Sequence, residues 1–271
     1  MYNTVDEEYR SLVETITDRG NLRASRAGDT LGIFGYMLSV DLAQGFPLLT
    51  TKKVDLNNIY HELNWFLRGE TNVNTLKAPQ LWLPWASEDG ECGPVYGAQW
   101  TNWQINDHTD EGINQVEAVL WKLKNSPSDR RMIVSAWNVK ELALMTLPPC
   151  HLLWQVYVSN GSLDMNIYQR SCDTAIGLPY NIASYAILLT MLANEAKLKP
   201  GRLNIMLGDV HIYREHLDKL NKQINREPRK APSITMNQDL SFWDFPYRDD
   251  PSDFELTGYD PHPTIRFPLN V

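Results

Sequence analysis

The chain has 271 residues, 43% of them hydrophobic and 21% charged, with nine Trp, twelve Tyr and seven Phe, a composition that needs a packed core and excludes a disordered chain. Thirty-three acidic against 25 basic side chains leave a net charge of −8, so bulk electrostatic binding of nucleic acid is excluded and any bound anion needs a local cluster of Arg or Lys. The longest charge-free apolar stretch, residues 182–193, is too short for a bilayer, no signal-peptide layout opens the chain, and three cysteines without a CxxC pattern read as free thiols in the cytoplasm.

Nothing in the sequence marks a linker or an internal repeat, and residues 1–271 read as a single domain. Val5, Tyr9, Leu12, Val13 and Ile16 share one helical face, which predicts a helix over residues 4–18 closed by Gly20. A second helix fits Leu56, Ile59, Tyr60, Leu63, Phe66 and Leu67, ending at Gly69; a third fits Ile113, Val116, Leu120 and Leu123. Met132 to Trp137 reads as a buried strand. Leu152 to Val158 and Leu163 to Tyr168 flank Asn160-Gly161, the strongest short hairpin signal. Residues 181–198 are apolar on nearly every side, which predicts a helix buried in the middle of the fold. Tyr213, Leu217, Leu220 and Ile224 mark one more amphipathic helix, and the tail from Ser233 reads as short strands and Pro-rich loops. Helices and hairpins without a βαβ rhythm predict an α+β fold, a mostly antiparallel or mixed sheet backed by helices.

Cys150 follows Pro148-Pro149, so its thiol is presented from a stiff turn and suits addition to an electron-poor double bond; a buried core cysteine is the alternative. Arg26, Arg130, Arg131 and Arg170-Ser171 are candidate holders of a phosphate monoester, or solvated surface charges. Asp209, His211 and Tyr213 lack the regular spacing of a zinc site, and no metal is expected. They are compatible with hydrogen bonding to a sugar hydroxyl, or with a helix start capped by Asp209. Glu62 is either a buried acid with a raised pKa or a residue on its helix's solvent face. The chain has no GxGxxG, P-loop, GxSxG or HExxH motif.

From about residue 20 onward the order of motifs resembles the thymidylate synthase family. The stretches that carry the resemblance are Gly45-Phe46-Pro47-Leu48-Leu49-Thr50-Thr51-Lys52-Lys53, His61-Glu62-Leu63 and Gly93-Pro94-Val95-Tyr96-Gly97. Arg130-Arg131 through Asn138, Pro149-Cys150-His151, Tyr168 through Asp173, Gly177 through Tyr185 and Tyr259-Asp260-Pro261-His262-Pro263 follow in order. The resemblance implies a homodimer packed through its sheets, with dUMP as nucleotide and 5,10-methylenetetrahydrofolate as one-carbon donor. It implies that Cys150 adds to C6 of the pyrimidine with help from Arg170, that Glu62 and Tyr96 move protons, and that Asp173 holds the pterin. Arg26, Arg170 and Ser171 then hold the phosphate with Arg130 and Arg131 of the other subunit, and His211 and Tyr213 take the 3′-hydroxyl. The folate side comprises Leu81, Trp82, Trp85, Asp173, Gly177, Tyr180, Asn270 and Val271. Asn181, whose amide can donate to O4 and accept from N3–H, selects uracil over cytosine.

Several positions depart from the family pattern: Arg26-Ala27-Gly28-Asp29-Thr30 is one residue short, and Trp82-Leu83-Pro84-Trp85, Gly97-Ala98-Gln99-Trp100-Thr101, Tyr180 and Pro268-Leu269-Asn270-Val271 differ. These changes bear on the fate of a C5 methylene. Hydride transfer gives dTMP and dihydrofolate, which is the expected outcome. Capture by water, favoured if Tyr180 and Asn270 hold one, gives 5-hydroxymethyl-dUMP and tetrahydrofolate. A catalytically silent nucleotide- or RNA-binding relative is the remote alternative, and it has no need of a nucleophile at Cys150.

Overall fold

The computed structural model of the chain describes residues 4–105 and 112–270. Helix α1 (Val5–Arg19) begins with a capping box, in which Thr4 and Glu7 satisfy each other's backbone N–H groups. A hairpin, β1 (Asn21–Arg23) and β2 (Thr30–Asp41), follows. Helix α2 (Leu56–Leu67) is capped by the Asp55 carboxylate, which accepts from the N–H groups of Asn57 and Asn58. Next come α3 (Tyr96–Thr101), a small ribbon of β3 (Trp103–Gln104) and β4 (Gly112–Ile113), α4 (Gln115–Asn125) and β5 (Ile133–Ser135). The hairpin of β6 (His151–Ser159) and β7 (Ser162–Asp173) turns at Asn160 and Gly161, with φ of 51° and 75°. Two consecutive positive φ values are what a type I′ turn needs, which explains the Asn-Gly pair.

Helix α5 (Gly177–Glu195) is buried around most of its circumference and leads into β8 (Lys199–Tyr213). The remaining elements are α6 (Leu217–Ile224), β9 (Ser233–Met236), α7 (Asp244–Arg248) and β10 (Phe254–Thr257), with β9 and β10 paired antiparallel. The six-stranded sheet has the order β1-β2-β8-β7-β6-β5. The architecture is α+β, a mixed sheet backed by helices. Within it β7–α5–β8 is a crossover unit whose strands run parallel, Ile167 opposite Ile205, so a single βαβ step lies within an otherwise antiparallel sheet. Asp209 is a strand residue of β8 and caps no helix; Tyr213 ends that strand, and the helix expected from Tyr213 starts at Leu217.

Strand alternation sorts the sheet into two faces. Leu38 and Val40 of β2, Leu203, Ile205 and Leu207 of β8, Leu163, Met165 and Ile167 of β7, and Trp154 and Val156 of β6 are buried, and α1 and α5 pack against the sheet. The opposite face is open. Pairing places Met37 opposite Met206, Met206 opposite Tyr168 and Tyr168 opposite Leu153, and all four are exposed. Among the described residues no helix is long and apolar enough to cross a membrane.

Candidate active site

Because β7 and β8 run parallel, their C-terminal ends lie side by side, and α5 starts just beyond β7. A cavity of about 370 Å³ opens there, within the usual size of small-molecule sites. Gln169, Arg170, Ser171 and Asp173 of β7, His211 and Tyr213 of β8, and Gly177 and Asn181 of α5 line it. Glu62 and Phe66 of α2, Tyr96 of α3, and the 3-10 turns Pro79–Leu81 and Leu83–Trp85 supply another wall, with Leu81, Trp82 and Trp85 facing in. Arg26 and Ala27 from the β1–β2 turn and Leu269 and Asn270 from the tail complete it.

Cys150 stands at the entry to β6, half-buried, where a register shift between His151 and Leu153 bends the strand. Its N–H donates to the Tyr96 hydroxyl (2.7 Å), and its carbonyl accepts from the Arg170 N–H (2.7 Å). The Arg170 side chain donates through Nε to the Pro149 carbonyl and through Nη2 to that of Pro148, each at 2.8 Å. A stiff turn is thus clamped to a guanidinium that also lies over the Trp137 ring, 5.6 Å from its centroid. Burial pushes the thiol up, and the Arg170 charge and the Tyr96 hydroxyl draw it partway back.

Glu62 is the buried acid of the two readings: burial raises it to about 7, against a hydrogen bond from Trp82 Nε1 at 2.6 Å. The sequence alone gives His151 no role, yet it lines the cavity, stacks on Tyr96 with centroids 4.2 Å apart and pairs Nδ1 with the Tyr185 hydroxyl (2.7 Å). Burial lowers it to about 3, so the ring is neutral. Nor does the sequence give a role to Gln169, which also lines the cavity. Its Nε2 donates to the Ser171 carbonyl (3.1 Å) and to Asn181 Oδ1 (3.0 Å). The carbonyl fixes which way the Gln169 amide faces, and this in turn turns Asn181 Oδ1 toward it and leaves Asn181 Nδ2 as a donor. The sequence signals were adjacency alone, His151 beside Cys150 and Gln169 beside Arg170.

Arg26, Ala27, Ser171, His211 and Tyr213 also border a second cavity of about 240 Å³, which marks one end of the site as the cationic, hydroxyl-rich end. The Arg26 guanidinium lies over the Trp85 ring, 5.8 Å from its centroid. His211 Nδ1 lies 3.2 Å from Asp209 Oδ1, and Asp209 also pairs with Arg23 at 2.8 Å. Asp173, paired with His211 across β7 and β8, accepts through Oδ1 from the N–H groups of Ala175 and Ile176. Tyr180 lies behind the wall, where burial and the Asp55 and Glu62 carboxylates raise its hydroxyl. Arg130 and Arg131 are exposed just before β5, away from this cavity. Val271 lies outside the described residues.

A family model described as thymidylate synthase matches residues 7–271. The chain is also 44% identical, over 274 aligned residues covering all of both proteins, to a curated thymidylate synthase of Corynebacterium aurimucosum. The chain belongs to the thymidylate synthase family.

In this thymidylate synthase scaffold the tail is tied down at alternate residues. Lys219 Nζ donates to the Arg266 carbonyl and His216 Nε2 pairs with that of Pro268, both at 2.9 Å. Asn270 Nδ2 then donates to Glu215 Oε1 (2.7 Å) and to the Ala27 carbonyl (3.1 Å), which joins the tail to the shortened loop. Cys92 and Cys172 are buried outside the cavity, and burial raises both thiols.

Proposed function

We propose that this chain carries out the reductive methylation of dUMP, with 5,10-methylenetetrahydrofolate as one-carbon and hydride donor and dTMP and dihydrofolate as products. The observation that carries it is the convergence on one cavity of a clamped thiol, a uracil-matched amide and a cationic end. Cys150 adds to C6 of the pyrimidine, and the electron pair pushed to C5 attacks the one-carbon unit. Loss of the C5 proton with release of the amine leaves a methylene, which hydride reduces as Cys150 departs. Asn181 Nδ2 donates to O4 while its Oδ1 accepts from N3–H. Glu62, near 7, exchanges protons at working pH, and Tyr96 serves removal of the C5 proton. Arg26, Arg170 and Ser171 hold the phosphate, and His211 and Tyr213 the 3′-hydroxyl. Leu81, Trp82, Trp85, Asp173, Gly177 and Asn270 form the folate side.

One feature favours hydride transfer over capture by water: Tyr180 does not line the cavity. The protein acts as a single domain in the cytoplasm, in keeping with its three free thiols. It is a homodimer, supported by the open sheet face, with Arg130 and Arg131 reaching the phosphate of the second subunit. Mass spectrometry of the product tests the reaction: a gain of about 14 mass units with dihydrofolate formed supports methylation, and about 30 with tetrahydrofolate intact overturns it in favour of hydroxymethylation. Retention of all tritium from C5-labelled dUMP sinks both.

A further inference from the structure

Asp249 lies outside the cavity, buried, with φ 46° and ψ 45°. This is the left-handed region, which L-residues seldom adopt and which persists only where the surroundings enforce it. Its Oδ1 sits 2.8 Å from His61 Nδ1 and accepts from Asn64 Nδ2 at 3.0 Å. Arg68 Nη1 lies 3.6 Å from Oδ2 and also donates to the Pro246 carbonyl at 2.7 Å. Residues 61 and 64 of α2 and Arg68, which caps its C-terminus, line one side, next to the stripe that carries Glu62. Burial alone would raise the Asp249 carboxyl, yet hydrogen bonds from Asn64, His61 and Lys77 hold it below the usual carboxylate range.

The same residue holds the segment that follows α2. Lys77 Nζ donates to the Asp249 carbonyl at 2.6 Å and lies 3.2 Å from Oδ2. Four residues on, that segment presents Leu81 and then Trp82, whose indole donates to Glu62. Asp249 therefore grips, from behind, both halves of the wall that meet in the Glu62–Trp82 hydrogen bond.

We propose that Asp249 is a positioning residue for the folate-side wall, setting the place of Leu81 and Trp82 through Lys77 and that of Glu62 through α2. The proposal rests on the reading of that wall as the folate side. None of these contacts involves a residue assigned to the nucleotide's phosphate or sugar, so loosening them weakens the folate and spares dUMP. Lys77 suits the test because its side chain is 54% exposed, and its removal leaves the core intact.

The experiment compares kcat and both KM values of the full chain as wild type, Lys77→Met, Lys77→Arg and Asp249→Asn. Lys77→Met is expected to raise KM for methylenetetrahydrofolate about 3- to 10-fold, with kcat and KM for dUMP within about twofold. Lys77→Arg, which keeps the charge and the donors, restores the wild-type value. Asp249→Asn raises the same KM at least as far and moves the pH profile assigned to Glu62. An unchanged folate KM in Lys77→Met, or both KM values rising together, overturns the proposal alone. A wild-type chain that turns over dUMP with no dependence on methylenetetrahydrofolate overturns the folate reading and the proposal with it.

Discussion

Arg170 meets the Cys150 turn through two carbonyls and one backbone bond, and this geometry needs a planar fork. A lysine supplies a point charge that cannot reach Pro148 and Pro149 together. Arg170→Lys is therefore expected to slow alkylation of Cys150 by iodoacetamide about tenfold at neutral pH, read by mass spectrometry. Glu62→Gln keeps the hydrogen-bond geometry and loses the titration; kcat is expected to fall about 10²- to 10³-fold and the pH profile to lose its limb near 7. The same residue acts on stability, in opposition to His151. Folding lowers His151 from 6.5 to about 3, so between these values the unfolded chain binds the extra proton and stability rises with pH. Folding raises Glu62 from 4.5 to about 7, so there the folded chain binds the extra proton and stability falls as pH rises. Each slope is about 1.4 kcal/mol per pH unit, and the two cancel between about pH 4.5 and 6.5. Glu62→Gln leaves the His151 slope uncompensated, and urea titrations across that window are expected to show stability dropping on acidification by about 3 kcal/mol more than in wild type.

At the scale of elements, α2 and α3 approach closely because Gly97 has no side chain. A Cβ there would lie 2.4 Å from the Phe66 carbonyl oxygen, and the contact lets the Phe66 and Tyr96 rings pack, tilted by 31°, with centroids 4.9 Å apart. Gly97→Ala is expected to cost about 1–3 kcal/mol in urea unfolding and to displace Tyr96 from the Cys150 N–H. Helices α1, α2, α4, α5 and α6 and the β6–β7 hairpin were legible from sequence because a helical stripe, an apolar run and an Asn-Gly turn are local signals; α3 and α7, of six and five residues, are too short to show a stripe. Strands β2 and β8 were not. In β2 both faces carry apolar side chains, with Leu38 buried on one and Met37 exposed on the other, so the alternation that reveals a half-buried strand is blurred. In β8 the alternation of Leu203, Ile205 and Leu207 is present, but its parallel partner is set by the α5 crossover, which periodicity does not report. In the site, ordered motifs singled out most of the residues the cavity gathers. Gln169 and His151 act by orienting and stacking on neighbours, and only coordinates reveal such roles.

For the whole molecule, the open sheet face carries a continuous row of exposed apolar side chains, Met37, Met206, Tyr168 and Leu153, and a second copy is the occupant we propose for it. Met206→Glu, placed in the row between Met37 and Tyr168, is expected to give a monomer in sedimentation equilibrium that is inactive at assay concentrations. If each site borrows Arg130 and Arg131, two inactive variants can repair one another: Cys150→Ala mixed with Arg131→Glu regains part of the activity through hybrid dimers with one intact site. No regain in a mixture shown to exchange subunits would rule the shared site out.

The place of β8 governs how the chain reaches this form. It enters the sheet between β2 and β7, so until it arrives the early hairpin and the later hairpin are separate pieces with unpaired edges. Leu38 waits for Ile205, and such distant pairings close slowly. The catalytic groups are divided the same way: Arg26 on one piece, Cys150 and Arg170 on the other, His211 and Tyr213 on the strand that joins them. Refolding is therefore expected to show early hairpin structure with no nucleotide binding, then a slow phase in which binding and the last sheet protection arrive together. The interval between them is when naked strand edges make the chain prone to aggregate.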